Sequence, residues 1–268
     1  MKIKWIVGGL LWASSYLQAA AQEYKLWYDE PAQVWTEALP LGNGRLGAMV
    51  FGNPGVEHIQ LNEETIWAGR PNNNANPDAL EYIPKVRQLV FEGKYLEAQT
   101  LATEKVMAKT NSGMPYQSFG DLHISFPGHT RYSDYYRELS LDSARTIVRY
   151  KVDGVTYQRE TLTSFADQVV MVRLTASQPG KITCNANLTT PHQDVMVATE
   201  GEEVTLSGVS SWHEGLKGKV EFQGRMTART QGGTRSCRDG VLSIEGADEA
   251  VIYISIATNF TNYKDITG

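Results

Sequence analysis

Cysteine is nearly absent. Only Cys184 and Cys237 occur in 268 residues, which excludes a fold held together by a disulfide framework. No paired Cys/His spacing occurs, so no metal is expected. Lys and Arg form no cluster and the formal net charge is −5, so a nucleic-acid partner is not expected either. Beyond the N-terminus no apolar run reaches the roughly 18 residues of a membrane span, and no membrane partner is expected. Internal repeats and low-complexity tracts are missing. So are G-x-x-x-x-G-K-[ST], H-E-x-x-H and G-x-S-x-G, and the five histidines are scattered. No cofactor is expected.

What is present begins with an export signal. Lys2 and Lys4 precede the short apolar stretch "WIVGGLLWASSYL", and Ala19–Ala21 offer small residues for cleavage near Ala21. Residues 1–21 are read as a signal peptide, and the mature protein is expected to be soluble and periplasmic or extracellular. Residues 22–268 are read as one continuous domain.

The dominant period of that domain is two. In "RTIVRYKVD", Val148, Tyr150 and Val152 point one way, while Arg149, Lys151 and Asp153 point the other. Further runs rich in Val, Ile, Thr and Tyr follow, separated by Asp153-Gly154, Pro179-Gly180, Gly232-Gly233 and Asp239-Gly240. From about residue 119 to 258 the pattern reads strand after strand. The expected class is all-β, a large antiparallel β-sandwich with one helical insertion at about 77–109. Within the insertion, Asn76 and Pro77 suit a helix start, Pro84 is expected to begin a second helix, and Gly93 to end it. Tyr95, Ala98, Leu101, Ala102 and Val106 mark another helix, and the pair is expected to cover a sheet edge or face. Cys184 alternates with Ile182 and Ala186, so it faces the apolar side. Export permits a disulfide to Cys237, and a free buried thiol is the reading preferred.

"LPLGNGRLGAMVFG" (39–52) places Gly42, Gly44 and Gly47 at G-x-G-x-x-G spacing. A dinucleotide fingerprint needs a strand before the glycines and a helix after them. Here the following stretch is apolar, β-like and ended by Gly52, Asn53, Pro54 and Gly55. The glycines are therefore read as a tight turn feeding a central strand, with Gly47 allowing close backbone approach. Glu63 and Glu64 are neighbours and should face opposite sides of a sheet.

"QLNEETIWAGRPNNNANP" (60–77) is the most unusual stretch. Trp67 can stack on a sugar ring, and Arg70 and Asn73 can donate to hydroxyls. The competing reading is a structured loop whose Trp fills the core and whose amides satisfy their own backbone. Tyr116 and Gln117 in "MPYQSFGDLHISF" present the same choice.

Together, "WTEALPLGNGRLGAMVFG", "IQLNEETIWAGRPNNNANPDA", "GKYLEAQTLA", "YQSFGDLHI", "YYRELSLDSA" and "YQRETLTSFADQVVMVRL" resemble the N-terminal domain of glycoside hydrolase family 95, which comprises α-L-fucosidases and related enzymes. The resemblance extends from about residue 24 to the end. It implies a β super-sandwich that packs, in the family, against an (α/α)6 barrel. It also implies inverting hydrolysis of α-1,2-linked L-fucosides, with the acid and the water-activating residues on that barrel. After residue 109 no helical run is read here, so no catalytic residue is carried over. The sequence stops just after a strong strand. It is expected to be the N-terminal part of a longer enzyme, inactive alone, with the barrel and a fucosylated oligosaccharide or glycan as partners. Trp67, Arg70, Asn73, Tyr116 and Gln117 would then line or brace the cleft. A free-standing carbohydrate-binding sandwich is the alternative.

Overall fold

The computed structural model describes residues 23–108 and 113–267; the expected signal peptide lies outside them. Among these described residues, alternation of apolar and polar residues produces sixteen strands. They are β1 (Lys25–Tyr28), β2 (Leu39–Gly42), β3 (Leu46–Val50), β4 (Val56–Glu63), β5 (Gly120–Ser125), β6 (Ser133–Ser140), β7 (Arg145–Val152) and β8 (Val155–Thr163). Then come β9 (Val170–Ala176), β10 (Ile182–Thr189), β11 (Val195–Glu200), β12 (Glu203–Val209), β13 (Glu221–Gln231), β14 (Thr234–Arg238), β15 (Val241–Ala247) and β16 (Glu249–Thr258). They form two antiparallel sheets. The nine-stranded sheet runs β1-β6-β7-β8-β9-β16-β13-β12-β11 and the seven-stranded sheet β14-β15-β10-β5-β4-β3-β2.

The inward residues of both sheets make one core. Ile59, Leu61, Leu122, Ile124 and Ala186 meet Val148, Val172, Leu174, Ile252 and Ile254, all buried. Hairpin chemistry matches the sequence: Asp153 and Gly154 take φ of 47° and 79° and place Val152 opposite Val155, the pattern of a type I′ turn.

A buried ion pair ties the sheets. Arg159 on β8 reaches Glu57 on β4 at 3.0 Å, with side-chain exposures of 2% and 1%. Arg159 also donates to the Asn53 and Pro54 carbonyls and to the Tyr150 hydroxyl. Glu57 accepts from the Gly52 and His58 backbone N–H groups. A charge pair this deep is tolerated because nearly every donor and acceptor is matched. On β6, buried Arg137 donates to the Glu30 and Glu37 carbonyls at 2.7 Å each, which fixes the segment leading to β2.

The glycine-rich stretch is a hairpin. Gly44, at φ 94°, turns β2 into β3, and the Asn43 Oδ1 accepts from the Arg45 and Leu46 N–H groups. Arg45 reaches across to the Ile256 carbonyl at 2.7 Å. No helix follows, as expected. The strand it feeds is second from the sheet edge rather than central.

The helical insertion is present with two corrections. Pro84 does not begin a helix: α1 runs unbroken over Ala79–Phe91 with Pro84 inside it. The ring removes one bond, to the Leu80 carbonyl, so early in the helix that the later turns still form. Gly93, at φ 75°, turns the chain into α2 (Tyr95–Lys105). Nor does the hairpin cover a sheet. Its helices pack on each other, with Leu89 and Ala98 their only buried residues, and Phe91 and Leu96 are 88% and 77% exposed. Among the described residues no helix is long and apolar enough to cross a membrane. Cys184 is buried and Cys237 partly buried, both as free thiols.

Candidate functional site

The chain between β4 and α1 leaves the sheet and passes beside the segment that leads into β5. Glu63 ends β4 pointing inward, where its Oε2 accepts from the Thr65 N–H and hydroxyl at 2.8 and 2.6 Å. Glu64 faces solvent, so the two acids do point to opposite sides. Short backbone bonds then tie three segments: Ala68 N–H to the Pro115 carbonyl, Gln117 N–H to the Ile66 carbonyl, and Gly69 N–H to the Ser211 carbonyl. Gly69 has φ 65°, a left-handed backbone that favours glycine, and a Cβ there would displace the Met114 Sδ, which would lie 2.3 Å away.

This ladder brings Trp67 and Tyr116 together. Their rings meet edge to face at 5.2 Å and 65°. Trp67 Nε1 donates to the Glu64 carbonyl at 3.1 Å. The Tyr116 hydroxyl accepts from Asn62 Nδ2 and donates to the Glu63 carbonyl at 3.3 Å. Burial pushes the Tyr116 phenol above its ordinary range, against the pull of the Asn62 bond, so it stays protonated. Both rings remain substantially exposed, Trp67 at 46% and Tyr116 at 42%.

Trp67 and Tyr116 separate two cavities. The first, about 640 Å³, is lined by Trp67, Gly69, Arg70, Asn72, Asn74, Met114, Phe260 and Tyr263, among others. The second, about 400 Å³, is lined by Trp35, Gly47, Met49, Gln60, Asn62, Tyr116 and Ser118, among others. Trp35 Nε1 donates to the Gln60 Oε1 at 2.8 Å, holding that indole against the outer face of the seven-stranded sheet. Among the described residues neither lining contains an Asp, Glu or His. Aromatic faces and amides suit sugar rings and hydroxyls, whereas glycoside hydrolysis needs two carboxylates across the scissile bond. The arrangement suits binding and bracing. A larger groove of about 860 Å³ lies over β11–β13, and neither Trp67 nor Tyr116 lines it.

Of the five expected site residues, Trp67, Arg70 and Tyr116 line these cavities. Gln117 braces instead: its Oε1 accepts from the Ser211 N–H at 2.9 Å. Asn73 lines neither cavity, and its Oδ1 accepts from the Ala75 N–H at 3.1 Å, a local turn. Trp35, Gln60 and Asn62 were not singled out in the sequence. Their alternation on β4 places Gln60 and Asn62 on one face, but only strand register shows what that face meets.

A family model described as glycosyl hydrolase family 65, N-terminal domain, matches residues 26–263. "Alpha-L-fucosidase 2" of Arabidopsis thaliana is 32% identical over 91% of this chain and 31% of its own length. "Probable alpha-fucosidase A" of Aspergillus niger is 27% identical over 88% of this chain and 30% of its own. The Aspergillus oryzae protein of the same description is 28% identical over 60% of this chain and 23% of its own. The chain thus spans less than a third of the length of each of these curated relatives, which agree with the family 95 resemblance. The match over most of the sandwich identifies the chain as a member of the family described as glycosyl hydrolase family 65, N-terminal domain.

Proposed function

We propose that this chain is the N-terminal sandwich of an exported, inverting α-1,2-L-fucosidase whose catalytic carboxylates lie on a helical barrel elsewhere in a longer protein. The sandwich supports that barrel, and its Trp67–Tyr116 end borders the glycan cleft. One observation carries the reading. Three of the five residues singled out in the sequence, Trp67, Arg70 and Tyr116, line two neighbouring cavities rich in aromatics and amides, and among the described residues no carboxylate lines either. Exposed Trp67 and Tyr263 at that end suit a surface covered by another domain or by substrate.

The test is kinetic, in the full gene product. Trp67→Ala should raise KM for an α-1,2-fucosylated oligosaccharide about tenfold, the loss of one aromatic contact of roughly 1.4 kcal/mol. Phe165→Ala, at an exposed aromatic of the β8–β9 loop that lines neither cavity, should leave KM unchanged. Equal kinetics for both variants would remove Trp67 from the cleft.

A further inference from the structure

Antiparallel pairing of β4 with β5 sets His58 directly opposite His123, and Gln60 opposite Asp121. His58, His123 and Asp121 therefore share the outer face of the seven-stranded sheet, where directly opposed Cβ atoms lie about 5 Å apart. The two imidazoles stack at 5.0 Å and 17°. Phe51 backs His58 on its other side at 4.2 Å. His58 Nε2 lies 2.6 Å from Asp121 Oδ1, and the two side chains are 32% and 23% exposed. One ligand atom from each of the three residues lies within 4.8 Å of the other two.

We propose that His58, Asp121 and His123 bind one zinc(II)-class cation. Donors around a tetrahedral zinc at about 2.1 Å sit roughly 3.4 Å apart. The 2.6 Å His58–Asp121 separation is already inside that span, and the remaining distances close by rotation of partly exposed side chains. The cation takes the place of the proton between Nε2 and Oδ1, and the neutral imidazole of His58 keeps its one proton on Nδ1. Two imidazole nitrogens and one carboxylate suit Zn²⁺, Ni²⁺ or Cu²⁺, whereas Mg²⁺ and Ca²⁺ select oxygen ligands. Three protein ligands leave a coordination position open. Stacking or a lone His–Asp hydrogen bond would each need only two of these residues; a cation uses all three.

The experiment is calorimetric titration of the tag-free chain with ZnCl2, in a Cys237→Ser background so that the partly buried thiol cannot contribute. One saturable zinc per chain is expected, weakened at least tenfold by His123→Ala and by Asp121→Asn. MgCl2 and CaCl2 at the same concentration should give no saturable signal. Zinc should also raise the melting temperature of the parent and leave that of His123→Ala unchanged, a comparison made within each variant and independent of its basal stability. Absence of saturable zinc binding up to about 1 mM, binding that neither substitution weakens, or equal binding of Ca²⁺ overturns the proposal.

Discussion

Trp67 and Tyr116 stand 49 positions apart in sequence and meet edge to face at 5.2 Å, joined by a single bridge of backbone pairing. Trp67 lines one cavity and Tyr116 lines its neighbour. The pair therefore acts as a shared wall, and its rigidity depends on the polar anchors at both rings.

Removing one anchor should loosen the wall without emptying it. Tyr116→Phe deletes the hydroxyl that bonds Asn62 and the Glu63 carbonyl and should cost about 1 kcal/mol in urea unfolding. Tyr116→Ala should cost about 1 kcal/mol more, since the ring pair goes too. Equal stabilities for all three proteins would show that the ring is not held by its hydroxyl.

The Glu57–Arg159 pair makes a second prediction. Arg159→Met strands a buried carboxylate and should destabilise the chain by about 3–5 kcal/mol. The double variant Glu57→Leu/Arg159→Met should recover part of that loss, because the uncompensated charge is gone. Denaturant melts of the three proteins measure both effects. A single variant as stable as the parent would contradict the reading of the pair as mutually dependent.

The two thiols should differ sharply in reactivity. Burial pushes the Cys184 thiol up to about 12, which keeps it protonated and unreactive at pH 8. Cys237 is only partly buried, although burial raises it too. Ellman's reagent should titrate one thiol in the folded chain, at Cys237, and two after denaturation. Rapid labelling of both in the folded state would contradict the packing of β10.

Acid should destabilise the sandwich through His129. This buried imidazole shares a 2.9 Å hydrogen bond with the Tyr150 hydroxyl. Burial, and then the nearby Arg159 charge, hold it below the ordinary histidine value. Below about pH 6.5 the unfolded chain therefore binds a proton that the folded chain refuses. Stability is full above that pH and falls as pH drops through it. Melts between pH 7.5 and 5.5 should show this slope, and His129→Gln should flatten it. An unchanged slope would assign the acid sensitivity elsewhere.

Much of this architecture was legible in the sequence because it is written at short range. Alternation in "RTIVRYKVD" and the Asp153-Gly154 turn are local signals, and both were realised. Pro84 misled because a proline near a helix start removes a bond that the rest of the helix can spare. The helical hairpin does not cover the sheet because edge protection is only the usual role of such an insertion, and these two helices pack on each other instead. Trp67 and Tyr116 could be named from their local composition, but their contact could not. His58 with His123 depends wholly on register across strands, and Trp35 with Gln60 on how the 3-10 turn ahead of β2 folds back over β4; no spacing along the chain encodes either. Asn73 and Gln117 were legible as polar residues, while their hydrogen bonds to nearby or distant backbone were not.

The most direct test of the account is proton NMR of L-fucose release from an α-1,2-fucosylated oligosaccharide. The 268-residue chain and the full gene product are compared under the same conditions. The account predicts no release by the chain alone, and release by the full product with β-L-fucose appearing first, as inversion of the α-linkage requires. Turnover by the chain alone, or no fucose from the full product, would contradict it.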